Sequence, residues 1–429
     1  MDRRRFLELA SLTGIAIAGA PLLGRADDDG GLAGTRHGMG AADDDDDYEG
    51  PLFVMVQANG GWEPTLLCDP KGNLNNSYDE GDIRTAGNLR YAPIPGAAAL
   101  FDTHFSRTAI INGVDVSTNA HDAGQRNSAS GRLGDGYPSL AAMVAGAGAP
   151  QRPMSFISFG NYDRTAGLVA PTRNGNPDRL AELSHPDRTS AADPASSTYH
   201  GETAHELIRL ARKARTERAL GEQRLPRFRH ALETLATARQ GSAGLQRLEA
   251  ALPAPHATVL FRQAQLVVAA YKARVGVAGN LFLGGFDTHS DHDARHTPRM
   301  TELVQLVAFL WEEAERQGVA DKLCVLMCSD FGRTPSYNGN AGKDHWPVTS
   351  MIAMGAGVSG NRMVGMTDDG HDIVPIDPAT GMAAAVPATG IAITPAHVHR
   401  GLRRALGLTD SAVDLQFPLA VDDTFDPIV

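Results

Sequence analysis

The chain has 429 residues, a formal net charge of -11 and a pI of about 5.7. This length allows a large buried core, and the composition is that of an ordinary soluble protein. Nucleic-acid-binding proteins carry basic patches, so the acidic balance argues against a nucleic-acid partner.

Residues 1–26 have the pattern of an export signal. Arg3–Arg5 precede an apolar stretch from Leu9 to Leu23, and small residues then lead to Ala26, a suitable cleavage point. This is typical of a twin-arginine signal peptide. The alternative is a membrane anchor, but the stretch is short of the roughly 20 apolar residues that a span needs. We therefore expect a periplasmic or secreted protein, exported folded by the twin-arginine route, with no stable membrane span after signal removal.

Residues 27–50 are expected to form a disordered acidic leader. They contain the run Asp43–Asp47 and almost no apolar residues, so they cannot build a core. Residues 51–429 contain no linker and no repeat period, which indicates a single domain with inserted loops. Removing residues 1–26 takes away four Arg and two acids, so the mature charge is -11 - 2 = -13.

Apolar runs and helical periods alternate along the domain. The predicted strands are Leu52–Ala58, Thr108–Val114, Met154–Phe159, Gly279–Leu283, Leu323–Cys328 and Ser350–Met354. The predicted helices are Tyr137–Ala147, Glu202–Leu220, Leu225–Ala238, Thr258–Val275, a segment from Pro298 to Arg316, and Ala396–Leu406. Because such spacings require crossovers, we predict an α/β fold with a mostly parallel sheet covered on both faces.

The three cysteines are predicted to be buried free thiols. Cys324 and Cys328 lie four residues apart on one strand, which separates them by roughly 13 Å and is too far for a disulfide. Cys68 can pair with one of them only if the fold brings it close.

Three strand ends share a Gly-flanked acidic pattern. Glu63 follows Gly60-Gly61, Asp287 follows Gly284-Gly285, and Asp330 precedes Gly332. Carboxyl ends of parallel strands meet at one edge of the sheet, so these three side chains are expected to converge there. Three carboxylates at one edge repel one another unless a cation or a basic side chain neutralises them.

Histidines near these acids complete a possible metal site. His289 and His292 closely follow Asp287, and His345 lies in a Gly-flanked loop after Asp330. Asp and His together suit zinc, whereas carboxylate and water suit manganese or calcium. The competing interpretation is structural: Asp330 caps its loop or pairs with Arg333, and His345 hydrogen-bonds to backbone.

The motifs GGFDTH, SDFGRTP and GKDHW, in this order after a twin-arginine leader, resemble the DUF1501 family of secreted bacterial proteins. NGGWEPT resembles the first strand end of that family. The resemblance implies an α/β/α sandwich of the alkaline phosphatase-like superfamily, which includes sulfatases. It also implies metal-dependent hydrolysis of phosphate or sulfate esters, with Asp and His ligands for one or two metals and a Ser, Thr or Cys nucleophile.

The resemblance carries over only in part. Glu63 stands where the superfamily has its first metal-binding Asp, and Asp287 with His289 or His292 resembles the Asp-and-His pair of one metal site. Asp330 matches the acid of an Asp-His pair, but Phe331 stands at the position of the His. His345 is expected either to replace that His or to match the superfamily's last His. The nucleophile candidates are Ser130, Ser128 and Thr65, with His121 assisting. Arg333 and Lys343 are expected either to balance an anionic substrate or to be solvated.

The leading hypothesis is an exported metal-dependent hydrolase of phosphate or sulfate esters, acting on an anionic small-molecule or polymer substrate. The alternative is a non-catalytic, metal-stabilised binding or assembly protein that retains the fold. A third possibility is a surface protein that binds carbohydrate or a partner through the loops at residues 68–100 and 160–200.

Overall fold

The structure, a computed structural model, describes residues 48–72, 76–173, 180–185, 187–191, 193–239 and 242–429. The predicted signal peptide and most of the predicted leader lie outside these residues. From Tyr48 to Val429 the chain forms one unit. No described helix is long and apolar enough to cross a membrane.

A central sheet of eight strands organises this unit. Its strands are β1 (Leu52–Ala58), β4 (Thr108–Asp115), β5 (Phe156–Ser158), β6 (Pro171–Arg173), β7 (Ala278–Leu283), β8 (Leu323–Ser329), β11 (Val348–Gly355) and β12 (Arg362–Val364). They lie in the order β12-β4-β11-β8-β1-β7-β5-β6. Two small antiparallel pairs lie outside it: β2 (Arg84–Ala86) with β3 (Leu89–Tyr91), and β9 (Gly332–Arg333) with β10 (His345–Trp346).

One strand of the central sheet runs against the others. β11 is antiparallel to both β4 and β8, whereas the remaining pairs are parallel. The residues that precede β11 therefore lie at the edge where the parallel strands end. His345 reaches that edge for this reason, three residues before β11 begins.

Helices cover both faces of the sheet. They are α1 (Ala97–His104), α2 (His121–Ser130), α3 (Leu140–Gly148), α4 (Leu180–Ser184), α5 (Glu202–Glu222), α6 (Pro226–Arg239), α7 (Ser242–Ala251), α8 (Val259–Lys272), α9 (His292–Arg316), α10 (Pro395–Ala405) and α11 (Ala412–Gln416). Residues of α1, α7, α8 and α9 share one apolar core with the sheet, and residues of α2, α3, α10 and α11 share the other. The predicted three-layer α/β/α sandwich is confirmed.

The alternation of side chains along β1 explains the two cores. Leu52, Val54 and Val56 face one core, while Phe53 and Met55 face the other, and all five are fully buried. A central parallel strand must be apolar on both faces, because helices cover both.

The three cysteines are free and buried, as predicted. Burial raises the pKa of the Cys324 thiol to about 12, and it raises that of Cys68 and Cys328 as well. These thiols therefore act as small apolar side chains of the core.

Several element boundaries differ from the sequence predictions, and two helix starts and one loop segment differ most clearly. Helix α9 begins at His292 rather than Pro298, so Pro298 lies inside the helix. The helix predicted from Tyr137 begins only at Leu140, because Ser139 caps it by accepting a hydrogen bond from the Ala142 N–H. The segment 68–100, predicted to be loop-rich, contains the β2–β3 hairpin and the beginning of α1.

Candidate functional site

The candidate site lies at the carboxyl edge of β1, β7 and β8, where the sequence placed it. Gly60 and Gly61 turn the chain at the end of β1 with positive φ angles of 117° and 84°. A Cβ on Gly60 would lie 2.4 Å from the Asp287 backbone nitrogen. The first strand exit thus packs directly against the second, which requires glycine.

The structure divides the predicted ligands into two groups. His121, Asp287, His289 and His345, with Asp330 beneath them, form what we call the outer cluster. Glu63 and His292 belong instead to a buried group around Lys343, which we call the inner cluster.

Asp287 is the centre of the outer cluster. Its Oδ1 lies 3.0 Å from His289 Nε2 and 3.1 Å from His345 Nε2, and its Oδ2 lies 3.5 Å from His121 Nε2. Arg333 donates to Oδ1 at 2.7 Å. Partial burial raises the pKa of Asp287, but the hydrogen bond from Arg333, the contact with His345 and the charge of Arg333 outweigh it and lower the pKa to about 2. This carboxyl group is therefore ionised at neutral pH.

Each histidine of the outer cluster is oriented by an acceptor on its Nδ1. Nδ1 of His121 lies 2.7 Å from Asp330 Oδ2, and Nδ1 of His289 lies 2.8 Å from Asp344 Oδ1. Nδ1 of His345 lies 2.8 Å from the carbonyl oxygen of Asn119. These oxygens only accept, so each Nδ1 carries the hydrogen and each neutral ring keeps its lone pair on Nε2.

These Nε2 lone pairs point toward Asp287 and one another. The Nε2 atoms of His289 and His345 are only 3.0 Å apart, an unfavourable distance for two lone pairs with no cation or proton between them. Ligand atoms of His121, Asp287 and His345 all lie within 4.8 Å of one another. Zinc bound tetrahedrally at about 2.0–2.1 Å from nitrogen separates its ligands by about 3.3 Å, so the donors and spacings fit a divalent cation.

Asp330 and Phe331 support the outer cluster from below. Asp330 is buried, and its Oδ2 accepts from the Gly60 N–H at 3.0 Å as well as from His121. The hydrogen bond to Asp330 is the main cause that raises the pKa of His121. The Phe331 ring lies 4.8 Å from the His121 ring and 4.4 Å from the His345 ring. Phe331 therefore packs against the two imidazoles, and Asp330 orients one of them.

Glu63 lies in the inner cluster and is fully buried. Its Oε2 accepts from Lys343 Nζ at 3.1 Å, and its Oε1 accepts from the Thr65 hydroxyl at 2.7 Å. Nε2 of His292 lies 4.0 Å from Oε2, and Nδ1 of His371 lies 3.8 Å from Oε1. Burial raises the pKa of Glu63, but the charge of Lys343, followed by His371 and His292, outweighs it and lowers the pKa.

A chain of hydrogen bonds fixes the tautomers of the inner histidines. The Glu63 N–H donates to His296 Nε2 at 2.9 Å, so a neutral His296 carries its hydrogen on Nδ1 and donates to Thr288 Oγ1 at 3.0 Å. The Thr288 hydroxyl then donates to His292 Nδ1 at 2.7 Å, a much shorter contact than the 3.4 Å to the Phe286 carbonyl. Burial lowers the pKa of His292 to about 4, so the ring is neutral with its hydrogen on Nε2.

No hydrogen bond among the described residues joins either serine candidate to the two clusters. Ser130 ends α2, nine residues after His121, which is about 13 Å along a helix. Its hydroxyl donates to the Arg126 carbonyl at 2.7 Å. Ser128 Oγ is buried and has no hydrogen-bond partner among the described residues, and the Ser128 carbonyl accepts from His399 Nε2 at 2.9 Å. Thr65 is bound to Glu63 and Asn76. Neither serine hydroxyl hydrogen-bonds to a residue of the outer cluster.

Arg333 and Lys343 are both buried, in contrast to the solvated roles considered from the sequence. Arg333 donates to the carbonyls of Gly60, Gly61 and Lys343 as well as to Asp287. The candidate site residues predicted from the sequence did not include Thr288, His296, His371 or Asp344. Their spacing to the acids gives no regular pattern, so only the GGFDTH and GKDHW motifs point to any of them.

The family described as "Protein of unknown function (DUF1501)" matches residues 53–375. The chain belongs to this family. No curated protein matches the chain.

Several solved structures resemble this DUF1501 protein in fold. An alkaline phosphatase from the Antarctic bacterium TAB5 has 9% identity and a TM-score of 0.32, over 73% of this chain and 95% of that chain. BT1596, described as a 2-O GAG sulfatase, has 10% identity and a TM-score of 0.33, over 85% and 72%. The lipoteichoic acid synthase LtaP from Listeria monocytogenes has 9% identity and a TM-score of 0.33, over 81% and 75%. The chemistry of the site therefore rests on its own geometry.

Proposed function

We propose that this DUF1501 protein is an exported hydrolase of phosphate or sulfate esters that uses a divalent cation, zinc in the first instance, at the outer cluster. The observation that carries the proposal is the convergence of Nε2 atoms on Asp287, each from a ring whose Nδ1 is bound to an acceptor. The ester class comes from the sequence resemblance. A bound cation would supply Lewis acidity toward an ester oxygen and would lower the pKa of water.

Under this proposal, His121, Asp287 and His345 hold the cation. Catalytic sites with three protein ligands keep a position open for substrate or water. The site is open to solvent, since the side chains of Asp287 and His289 are 46% and 47% exposed. An anionic small molecule or a polymer ester can therefore approach the cluster from solvent.

His289 is the residue proposed to move the proton. Asp344 accepts from its Nδ1–H at 2.8 Å, so the imidazole is held with its Nε2 lone pair toward the other ligands. A histidine oriented in this way can take a proton from an attacking water. Water is the proposed nucleophile, because among the described residues the predicted serines lie away from the outer cluster.

A second function has a specific observation in its favour. His289 Nε2 lies 3.0 Å from both Asp287 Oδ1 and His345 Nε2, so it can also serve as a fourth protein ligand. Four protein ligands close a site and make it structural. The protein would then be a metal-stabilised binding or assembly protein without turnover.

The H289A variant separates the two functions. If His289 carries the proton, zinc affinity changes little and kcat falls by about 10²–10⁴-fold. If it is a fourth ligand, zinc affinity falls strongly. Metal content and turnover of 4-nitrophenyl phosphate and 4-nitrophenyl sulfate are measured on the mature protein, with H200A as a control because His200 is exposed and remote in sequence.

D287A tests the hydrolase itself. We expect it to lose both the cation and turnover, while D422A, which removes an exposed carboxylate, keeps both. Bound metal without turnover of either ester in the wild-type protein would favour the binding function. Absence of bound metal would contradict both functions.

Export is proposed from Arg3–Arg5 and the apolar stretch after them. In the native host, cell fractionation should recover the mature protein in the periplasm or the medium. A variant with Lys at Arg4 and Arg5 should accumulate in the cytoplasm. Equal export of both forms would contradict the twin-arginine route.

A further inference from the structure

The inner cluster contains an acid and histidines, which are the residue types of a second metal site. Its acid, Glu63, is however already paired with the ammonium group of Lys343. Glu63 and Lys343 are 0% and 1% exposed, and Lys343 Nζ lies 3.1 Å from Glu63 Oε2. The ammonium also lies 5.2 Å from the centre of the Tyr337 ring. Lys343 is therefore held between an acid and an aromatic face, inside the protein.

The backbone of Lys343 fixes this arrangement. Its N–H donates to the Thr288 carbonyl at 3.1 Å, and its carbonyl accepts from Arg333 Nη1 at 3.0 Å. Arg333 in turn donates to Asp287. The loop that contains Lys343 thus places the ammonium group beside Glu63. Through Arg333, the same loop also positions Asp287 in the outer cluster.

The charges of the two clusters differ. Asp287, Asp330 and Asp344 bring three carboxylates to the outer cluster against the guanidinium of Arg333, which leaves two negative charges for a divalent cation to neutralise. Glu63 and Lys343 cancel each other in the inner cluster. A second divalent cation there would face an ammonium group at close range, and it would have to displace a hydrogen-bonded ion pair.

The imidazoles of the inner cluster are also unsuited to a metal. The Thr288 hydroxyl donates to His292 Nδ1, which leaves a hydrogen rather than a lone pair on His292 Nε2. His296 uses its Nε2 lone pair to accept from the Glu63 N–H. His371 lies with Nδ1 toward both Glu63 and the Arg333 carbonyl. Of these rings, only His371 has a free Nε2 lone pair, and one ligand does not hold an ion.

We propose that the edge binds one divalent cation, at the outer cluster, and that the Lys343 ammonium takes the place of a second one beside Glu63. This inference rests on the proposed function and narrows it to single-cation hydrolysis. The sequence resemblance allows one or two metals, but the residues of the inner cluster do not fit a second ion. The attack by water and the departure of the leaving group then both depend on one cation and on His289.

Zinc titration of metal-stripped protein tests the inference. Bound zinc is counted by mass spectrometry of the metal, and ester hydrolysis is followed at each addition. We expect one equivalent in the wild-type protein, one in E63Q, none in D287N, and one in E222Q, the control for an exposed glutamate. Activity should rise up to one equivalent and then stay constant.

Two equivalents in the wild-type protein, falling to one in E63Q, would overturn the inference while leaving the proposed hydrolase intact. The same holds if activity rises only as the second equivalent binds. No bound zinc in the wild-type protein would overturn both proposals. If E63Q fails to fold, E63Q/K343M replaces the ion pair with a neutral pair of similar size and should also bind one equivalent.

Discussion

Replacing Asp330 tests how far the outer cluster depends on the group that orients its ligands. One oxygen of Asp330, Oδ2, accepts from His121 Nδ1 at 2.7 Å, from the Gly60 N–H at 3.0 Å and from Gln125 Nε2 at 3.4 Å. An amide oxygen at the same place can keep these bonds, so D330N removes the charge and keeps the geometry. D330A removes both.

The two variants should differ in a predictable way. Loss of a partner that orients a ligand costs about 10–100-fold in metal affinity, which is about 1.4–2.7 kcal/mol. We expect this loss for D330A, and a smaller one for D330N, which loses only the charge. In D330A the buried Gly60 N–H and the His121 Nδ1–H lose their acceptor. Each unpaired group adds about 1–3 kcal/mol of destabilisation, so D330A should also unfold at lower urea concentration.

Competition with a chromophoric zinc chelator measures the affinity, and urea unfolding of the metal-free protein measures the stability. Asp330 is 1% exposed, so solvent does not replace the lost bonds. Wild-type zinc affinity in D330A would refute the orienting role. Equal stability of D330N and D330A would refute the destabilisation assigned to the unpaired Gly60 N–H and His121 Nδ1–H groups.

Three further outcomes are expected. K343M leaves the buried carboxylate of Glu63 unpaired and should lower the free energy of unfolding, measured in urea, by about 3–5 kcal/mol. E63Q/K343M should recover most of this loss. A loss below about 1 kcal/mol in K343M would contradict the buried pair. S130A removes a hydroxyl bonded to backbone, so turnover should stay close to wild type, and a loss above tenfold would contradict the placement of this serine. Burial lowers the pKa of His399 to about 4. The stability that its neutral ring contributes is therefore complete above pH 6.5, and on the order of 3 kcal/mol is lost as the pH falls toward 4. In urea unfolding, the free energy of unfolding of H399N should depend less on pH over this range.

The sheet and its functional edge could be predicted from the sequence because both follow from simple patterns. Apolar runs such as Leu323–Cys328 are typical of strands buried on both faces, and the structure has β8 there. Asp287 and Asp330 follow two such strands. Parallel strands bring their carboxyl ends together, so the meeting of these residues required no knowledge of packing.

The division into two clusters could not be predicted in this way. Which side of the edge Glu63 faces depends on the backbone turn at Gly60 and Gly61, and the motif alone does not give those angles. The buried position of Lys343 depends on its backbone bonds to Thr288 and Arg333. These bonds join Lys343 to residues that lie 10 and 55 positions earlier in the chain, and no local periodicity of the sequence indicates such contacts.

The placement of His121 and His345 shows what decides the number of cations. Both rings lie against Phe331, at the position where the sequence resemblance expects a His ligand. The reversed direction of β11 brings His345 to the edge, and α2 begins with His121 there, so two imidazoles from other segments reach Asp287. With ligands supplied in this way, a histidine at position 331 is not required for an outer cation. Without one, Asp330 orients His121, and Glu63 is neutralised by Lys343.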